Sequence, residues 1–321
     1  MTSVDRLATV EERARFFETA NNRAPPGGTP FWLTTGDGAR LRIALWQARR
    51  PSGTVVMLPG RTETIEKYFE TIADLLVRDF NVLIFDWRGQ GASTREVANP
   101  MKGHITSFDT YIRDLAAVLD EVEDDCPRPW IVLGHSMGAN IALLALSEWP
   151  ADFNAAVLSA PMLSLRLPAP PLVHALARIA PAQLFIPSGR AHDPVSEAFA
   201  VNPVTHDAAR FARNQGILKS HRQIAVGAPT WGWLNAALDA CARWQRPGFA
   251  EKIHTPTLLL SAGEELIVEN SAQDRLAERL KLCEHVLIAA AKHEILMESD
   301  PIRAQFWAAF DGFLARNLNR P

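Results

Sequence analysis

Gly134-His135-Ser136-Met137-Gly138 places a serine between two glycines, each two residues away. An apolar run, Trp130–Leu133, leads into it, and a helical pattern at 137–149 follows. On a strand-to-helix turn this spacing exposes a serine hydroxyl at a sheet edge, because glycines on both sides let neighbouring backbones come close. A serine hydroxyl is a weak nucleophile. It needs a base to take its proton and an acid to orient that base. In a turn of this kind the chain order is serine, acid, histidine. Of nine histidines, only His293 follows the last apolar run and precedes the last helical pattern, in Ala291-Lys292-His293-Glu294. His135 is inside the turn and His285 opens an apolar run. His174, His192, His206 and His221 fall in a long interval without strands. The acid belongs in the loop after the run Pro256–Ser261, which reads Gly263-Glu264-Glu265-Leu266-Ile267-Val268-Glu269. Glu264 and Glu265 both qualify from spacing alone.

Acyl chemistry also needs two N–H groups aimed at the developing oxyanion. One belongs to the residue after the nucleophile, Met137. The other belongs to the loop after the run Thr54–Leu58, Pro59-Gly60-Arg61. Pro59 has no N–H and Gly60 allows the turn, so Arg61 is the expected second donor. The Arg61 side chain suits either an anionic substrate group or a surface salt bridge.

These loops need a scaffold. Short apolar runs at Thr54–Leu58, Asn81–Asp86, Trp130–Gly134, Ala155–Ser159, Pro256–Ser261 and Glu284–Ile288 read as buried strands. Helical patterns at 64–78, 107–122, 137–149, 271–281 and 300–317 separate most of them. Such alternation predicts a parallel sheet covered on both faces. Phe31–Thr35 and Leu41–Gln47 flank Gly36-Asp37-Gly38, an antiparallel hairpin signal that makes the sheet mixed. Nearly one hundred residues between Ser159 and Pro256 show no strand pattern. A structureless loop of that length is implausible. The expected organisation is therefore a core of residues 1–161 and 251–321 with a helical cap at 162–250, over the sheet edge where ligands bind.

Composition bounds the partners. The chain has 321 residues, 47% apolar and 21% charged, with 33 basic and 36 acidic residues and a net charge of −3. No global positive field exists to hold nucleic acid. Three scattered cysteines, Cys126, Cys241 and Cys283, make neither a disulfide framework nor a zinc site, so no metal or other cofactor is expected. With no leader-like or membrane-spanning apolar run, the sequence predicts a cytoplasmic protein. One segment leaves room for peripheral contact with the inner face of the membrane. Phe153 to His192 contains no Asp or Glu but carries Arg166, Arg178 and Arg190. Within it Leu172, Val173, Leu176, Ile179 and Ala180 share one helical face, with His174 and Arg178 on another. Such a helix either packs on the body or lies on anionic lipid. Trp231, Trp233 and Trp244 suit the wall of an acyl tunnel, and equally a core.

Three segments together resemble the α/β-hydrolase superfamily. They are Gly134-His135-Ser136-Met137-Gly138, Asp86-Trp87-Arg88-Gly89-Gln90-Gly91-Ala92-Ser93 and Lys292-His293-Glu294. Within it, the chain is similar to the bacterial lysophospholipase and monoacylglycerol lipase group of serine aminopeptidase-like hydrolases, over residues 30–318. The resemblance implies a mostly parallel eight-stranded sheet and a serine carboxylic-ester hydrolase acting through an acyl-enzyme on a lipid or other small ester. It also implies Ser136 as nucleophile, His293 as base, and Arg61 and Met137 as oxyanion donors. The family's acid lies four residues before the carboxylate here numbered Glu269, which selects Glu265. Two departures stand out: Pro59-Gly60 replaces the lipase His-Gly, and Glu replaces the commoner Asp. Acyl transfer, or general esterase or thioesterase activity, remains the alternative with the same triad. A lipid-binding pseudo-hydrolase is disfavoured because every triad position is filled. Dehalogenase and epoxide-hydrolase chemistry is disfavoured too, because it uses an aspartate where Ser136 stands.

Overall fold

The computed structural model describes residues 13–150, 152–187 and 193–318. Among these residues eight strands form one sheet, in the order β1-β2-β4-β3-β5-β6-β7-β8. The antiparallel entry is the expected hairpin. β1 (Thr29–Thr34) pairs with β2 (Arg40–Trp46), and β2 pairs antiparallel with β4 (Asn81–Phe85). From β4 onward every pairing is parallel, through β3 (Thr54–Leu58), β5 (Trp130–His135), β6 (Ala155–Ser159), β7 (Thr257–Ala262) and β8 (Cys283–Ile288). β3 through β7 are buried at every position, which is why they read as unbroken apolar runs rather than as alternation.

Helices cover both faces. α1 (Phe69–Val77) and α8 (Asp300–Asn317) pack Ile72, Leu75, Phe306 and Phe310 against Val55, Met57 and Ile84. α2 (Phe108–Val122), α3 (Met137–Glu148) and α7 (Asn270–Arg279) cover the other face, over Val56, Leu83 and Val132. α3 is apolar nearly all round, as the central helix of a large domain must be. The helical pattern at 64–78 divides into a 3-10 turn at Ile65–Tyr68 and then α1.

Between β6 and β7 lie α4 (Pro170–Ile179), α5 (Ala208–Ser220) and α6 (Trp231–Arg243). α6 is buried along most of its length. Trp231, Trp233 and Trp244 all join the main apolar cluster, and the Trp244 indole donates to the Leu163 carbonyl at 2.9 Å. α4 is different: Ala177 is its one buried residue. Val173 and Ala180 rest partly on the cluster, whereas Leu172, Leu176 and Ile179 face outward. Arg190 and His192, counted in the acid-free stretch, lie outside the described residues.

Candidate active site

Four loops meet at the carboxyl edge of the sheet. They follow β3, β5, β7 and β8, and they carry the residues singled out by sequence. The turn after β5 is the tightest. Ser136 sits at φ 50°, ψ −112°, a left-handed conformation that costs a non-glycine residue of order 1–3 kcal/mol. The close approach on both sides requires glycine. A Cβ on Gly138 would lie 1.9 Å from the Leu58 carbonyl oxygen, and one on Gly134 would lie 2.6 Å from the Ala139 Cα. The turn is therefore clamped between β3 and its own helix.

Ser136 Oγ lies 2.9 Å from His293 Nε2, and His293 Nδ1 lies 2.7 Å from Glu265 Oε2. All three side chains are buried. The other Glu265 oxygen accepts the backbone N–H groups of Ile267 at 2.7 Å and Val268 at 3.2 Å. Burial pushes the Glu265 carboxyl upward. The His293 bond and charge and the two N–H donors outweigh it, so its pKa is lowered and it remains a carboxylate. The competing carboxylate turns away: Glu264 is exposed and pairs with His206 at 3.1 Å. The two glutamates that spacing could not separate therefore point to different partners.

The loop after β3 brings Arg61 beside the turn. Its neighbours' N–H groups are occupied: Gly60 donates to Glu63 Oε2, and Thr62 donates to Gln90 Oε1 at 2.8 Å. The Arg61 N–H between them has no acceptor among the described residues. Met137 is the first residue of α3, where an N–H has no intrahelical acceptor and sits at the positive end of the helix dipole. The Arg61 side chain departs from the surface-salt-bridge expectation. It is half-buried, it donates from Nη1 to the Gly227 carbonyl at 3.0 Å, and its Cζ lies 5.3 Å from the Trp233 ring centroid.

Beneath the triad runs a buried polar network that sequence reasoning missed. Glu63 accepts the Gly60 N–H and the Tyr68 hydroxyl, the latter at 2.5 Å. Lys67 lies 2.7 Å from Glu63 and 2.6 Å from Glu294. His135 Nδ1 sits 3.1 Å from Glu63, and His135 Nε2 donates to the His293 carbonyl at 3.2 Å. Burial raises the Glu63 pKa, but Lys67 and His135 hold it well below the usual range. Burial lowers that of His135, but Glu63 raises it above the ordinary histidine value. The network thus joins the Arg61 loop to the His293 loop. Its local links run from Glu63 to Gly60, Lys67 and Tyr68, within five residues; those to His135, His293 and Glu294 span far more sequence.

The Asp86–Ser93 loop is similarly built. Asp86 accepts from Ile65 N–H at 3.1 Å and Ala92 N–H at 2.7 Å, and it pairs with the buried Arg42 at 2.7 Å. The Trp87 indole donates to the Pro59 carbonyl at 2.8 Å, which ties this loop to the one carrying Arg61.

Known proteins share this fold and much of this sequence. Residues 49–300 match the family described as serine aminopeptidase, S33. The chain is 34% identical to "Lysophospholipase L2" of Escherichia coli over 318 residues, covering 90% of each chain. It is 31% identical to "Probable lysophospholipase L2" of Haemophilus influenzae over 283 residues, covering 85% of this chain and 88% of that one. Its fold matches a soluble variant of monoglyceride lipase from Saccharomyces cerevisiae, with a TM-score of 0.72 at 16% identity, over 90% of this chain and 96% of the other.

Proposed function

The chain belongs to the serine aminopeptidase S33 family of hydrolases, and from that premise we propose an ester hydrolase that uses Ser136, His293 and Glu265 on a single-chain lipid. The observation that carries this reading is the unbroken chain of hydrogen bonds from Ser136 Oγ through His293 to Glu265. Ser136 Oγ attacks the ester carbonyl while His293 Nε2 takes its proton. The resulting oxyanion lies against the N–H groups of Arg61 and Met137. His293 returns the proton to the departing alcohol, which leaves an acyl-enzyme. Water then attacks that ester with His293 again as base; His293 passes the proton to Ser136 Oγ as the acyl–oxygen bond breaks, and free fatty acid is released. Glu265 holds the imidazole in orientation and stabilises its charged form. The substrate class rests on the long-coverage relatives named lysophospholipase.

Residues 162–250 act as a cap over this edge. Supporting this, the cap chain bonds to the core loop before α2, where Gly103 N–H donates to the Ala228 carbonyl at 3.1 Å and Thr230 N–H donates to the Gly103 carbonyl at 2.9 Å. The outward residues of α4 meet lipid at the membrane surface. No helix among the described residues is long and apolar enough to cross a bilayer. The test is turnover of p-nitrophenyl esters, monoacylglycerols and lysophospholipids, with fatty acid measured as product. Efficient release from at least one single-chain lipid is expected. Turnover of short esters alone overturns the lipid assignment.

A further inference from the structure

We propose that the Arg61 guanidinium is the subsite for the phosphodiester of a single-chain phospholipid. One residue then contacts the substrate twice, its backbone N–H at the ester oxyanion and its side chain at the head-group phosphate. This deepens the ester-hydrolase reading above and rests on it.

The argument begins with what the guanidinium lacks. The most buried arginines here are paired with carboxylates. Arg42 holds Glu66 and Asp86, Arg88 holds Asp37 and Asp114, and Arg303 holds Glu70 and Asp74. Arg61 has no carboxylate partner among the described residues. One of its five N–H donors reaches the Gly227 carbonyl, and Trp233 provides a ring face beside it. A cation withdrawn from water without an anion is costly, and an arriving anion recovers that cost. Burial pushes the Arg61 pKa down to about 10, so the group is desolvated yet still cationic at neutral pH. The Trp233 indole N–H and the Tyr111 hydroxyl are neighbours on this side of Arg61.

A planar guanidinium fork matches two phosphate oxygens. In a lysophospholipid the ester and the phosphate hang from one glycerol, so both fall within the span of one arginine residue. A monoacylglycerol has no anion to offer. Crowding also fixes where the fork sits: a Cβ on Gly103 would lie 3.2 Å from Nη1.

The test compares lysophosphatidylcholine with a monoacylglycerol of the same acyl chain, in wild type, Arg61→Gln and Arg61→Lys. The quantity read is the ratio of the two kcat/KM values. Arg61→Gln is expected to lower that ratio about 10- to 100-fold, and Arg61→Lys by less, because a charge without a fork remains. A second arm needs no variant. Glycerophosphocholine should compete with a p-nitrophenyl ester on wild type, and glycerol should not. An unchanged ratio in Arg61→Gln overturns the proposal, as does equal competition by glycerol. Inorganic phosphate competing as well as the phosphodiester assigns the site to free phosphate and also overturns it. A wild-type enzyme that cleaves neither lipid overturns the ester-hydrolase reading first, and this one with it.

Discussion

Ser136 keeps a backbone conformation that most residues avoid, and it does so because β3 on one side and α3 on the other leave no alternative. The serine Oγ is thereby held 2.9 Å from His293 Nε2. Ser136→Ala is expected to cut kcat by roughly 10⁴ or more while the fold persists, and a fluorophosphonate probe should label Ser136. Full activity in the variant, with labelling elsewhere, would move the nucleophile. Glu265→Gln should be nearly as damaging, because the imidazole loses both its orienting acceptor and the charge that stabilises its protonated form. Glu264→Gln should stay within a few-fold of wild type, since its partner is the His206 side chain. The reverse ranking in kcat would reassign the acid. Ser136 and His293 were legible because each is fixed by a short string between recognisable elements. Glu264 and Glu265 were not separable by such reasoning. Adjacent loop residues have the same composition and context, and the Ile267 and Val268 N–H groups that capture Glu265 are displayed only by the folded loop.

The loops behave as a unit because Glu63 couples them. It holds the Gly60 N–H, which leaves Arg61's N–H free to point elsewhere, and through His135 it reaches the backbone of His293. Glu63→Gln is expected to lower kcat about 10- to 1000-fold with a much smaller change in KM, the pattern of a misplaced oxyanion donor. Equal losses in both would instead indicate disturbed binding. The same substitution takes the paired carboxylate from His135 and leaves Lys67 with Glu294 as its carboxylate partner; breaking a buried pair in this way costs up to about 3–5 kcal/mol. Its pH dependence follows from the two shifts. Glu63, lowered from 4.5, contributes stability that is present above that value and lost as pH falls through its folded pKa. His135, raised from 6.5, contributes stability that is present below that value and lost as pH rises through its folded pKa. The gap in Tm between wild type and Glu63→Gln should therefore be widest between pH 4.5 and 6.5 and narrow above it. A gap that widens steadily to pH 9 would remove His135 from the account. Strands such as Thr54–Leu58 and Ala155–Ser159 were legible to the residue because burial on both faces leaves a continuous apolar run. The Glu63 network was not, because its links join positions as far apart as His135 and His293, and nothing in either local sequence marks the other.

Across the whole molecule the net charge is −3, so an anionic surface repels the protein unless a local patch reverses the sign. Between β6 and β7, α4 and the chain just before it carry basic residues and no carboxylate, and the helices of this interval are anchored differently. α5 is bound firmly to the core, with Arg210 at 2.5 Å from Glu70, which also receives Arg213 from α5 and Arg303 from α8. α4 has no ion pair of this kind among the described residues. It shows Leu172 at 60% and Ile179 at 78% exposure, next to the exposed Arg166, His174 and Arg178. An apolar ridge flanked by cations suits a lipid surface: each basic residue near anionic lipid contributes about 1 kcal/mol, and inserted side chains add burial. Binding to anionic vesicles is expected to exceed binding to neutral ones. It should weaken from 0.1 M to 1 M salt, as the Debye length falls from about 10 Å to about 3 Å. Changing Arg166 and Arg178 together to Glu reverses the local charge and should reduce vesicle binding at least tenfold by co-sedimentation. Arg178→Glu alone should leave hydrolysis of a short soluble ester intact, whereas Arg166 touches the loop that holds Glu265, donating from Nε to the Val268 carbonyl at 3.0 Å, so the double change is read for vesicle binding and Arg178→Glu is its control for turnover. Leu172→Ser with Ile179→Ser should weaken binding without changing its salt dependence, which separates the apolar contribution from the ionic one. Equal binding to neutral and anionic vesicles, or none to either, would leave α4 as an outward-facing helix of the cap with no role at a membrane.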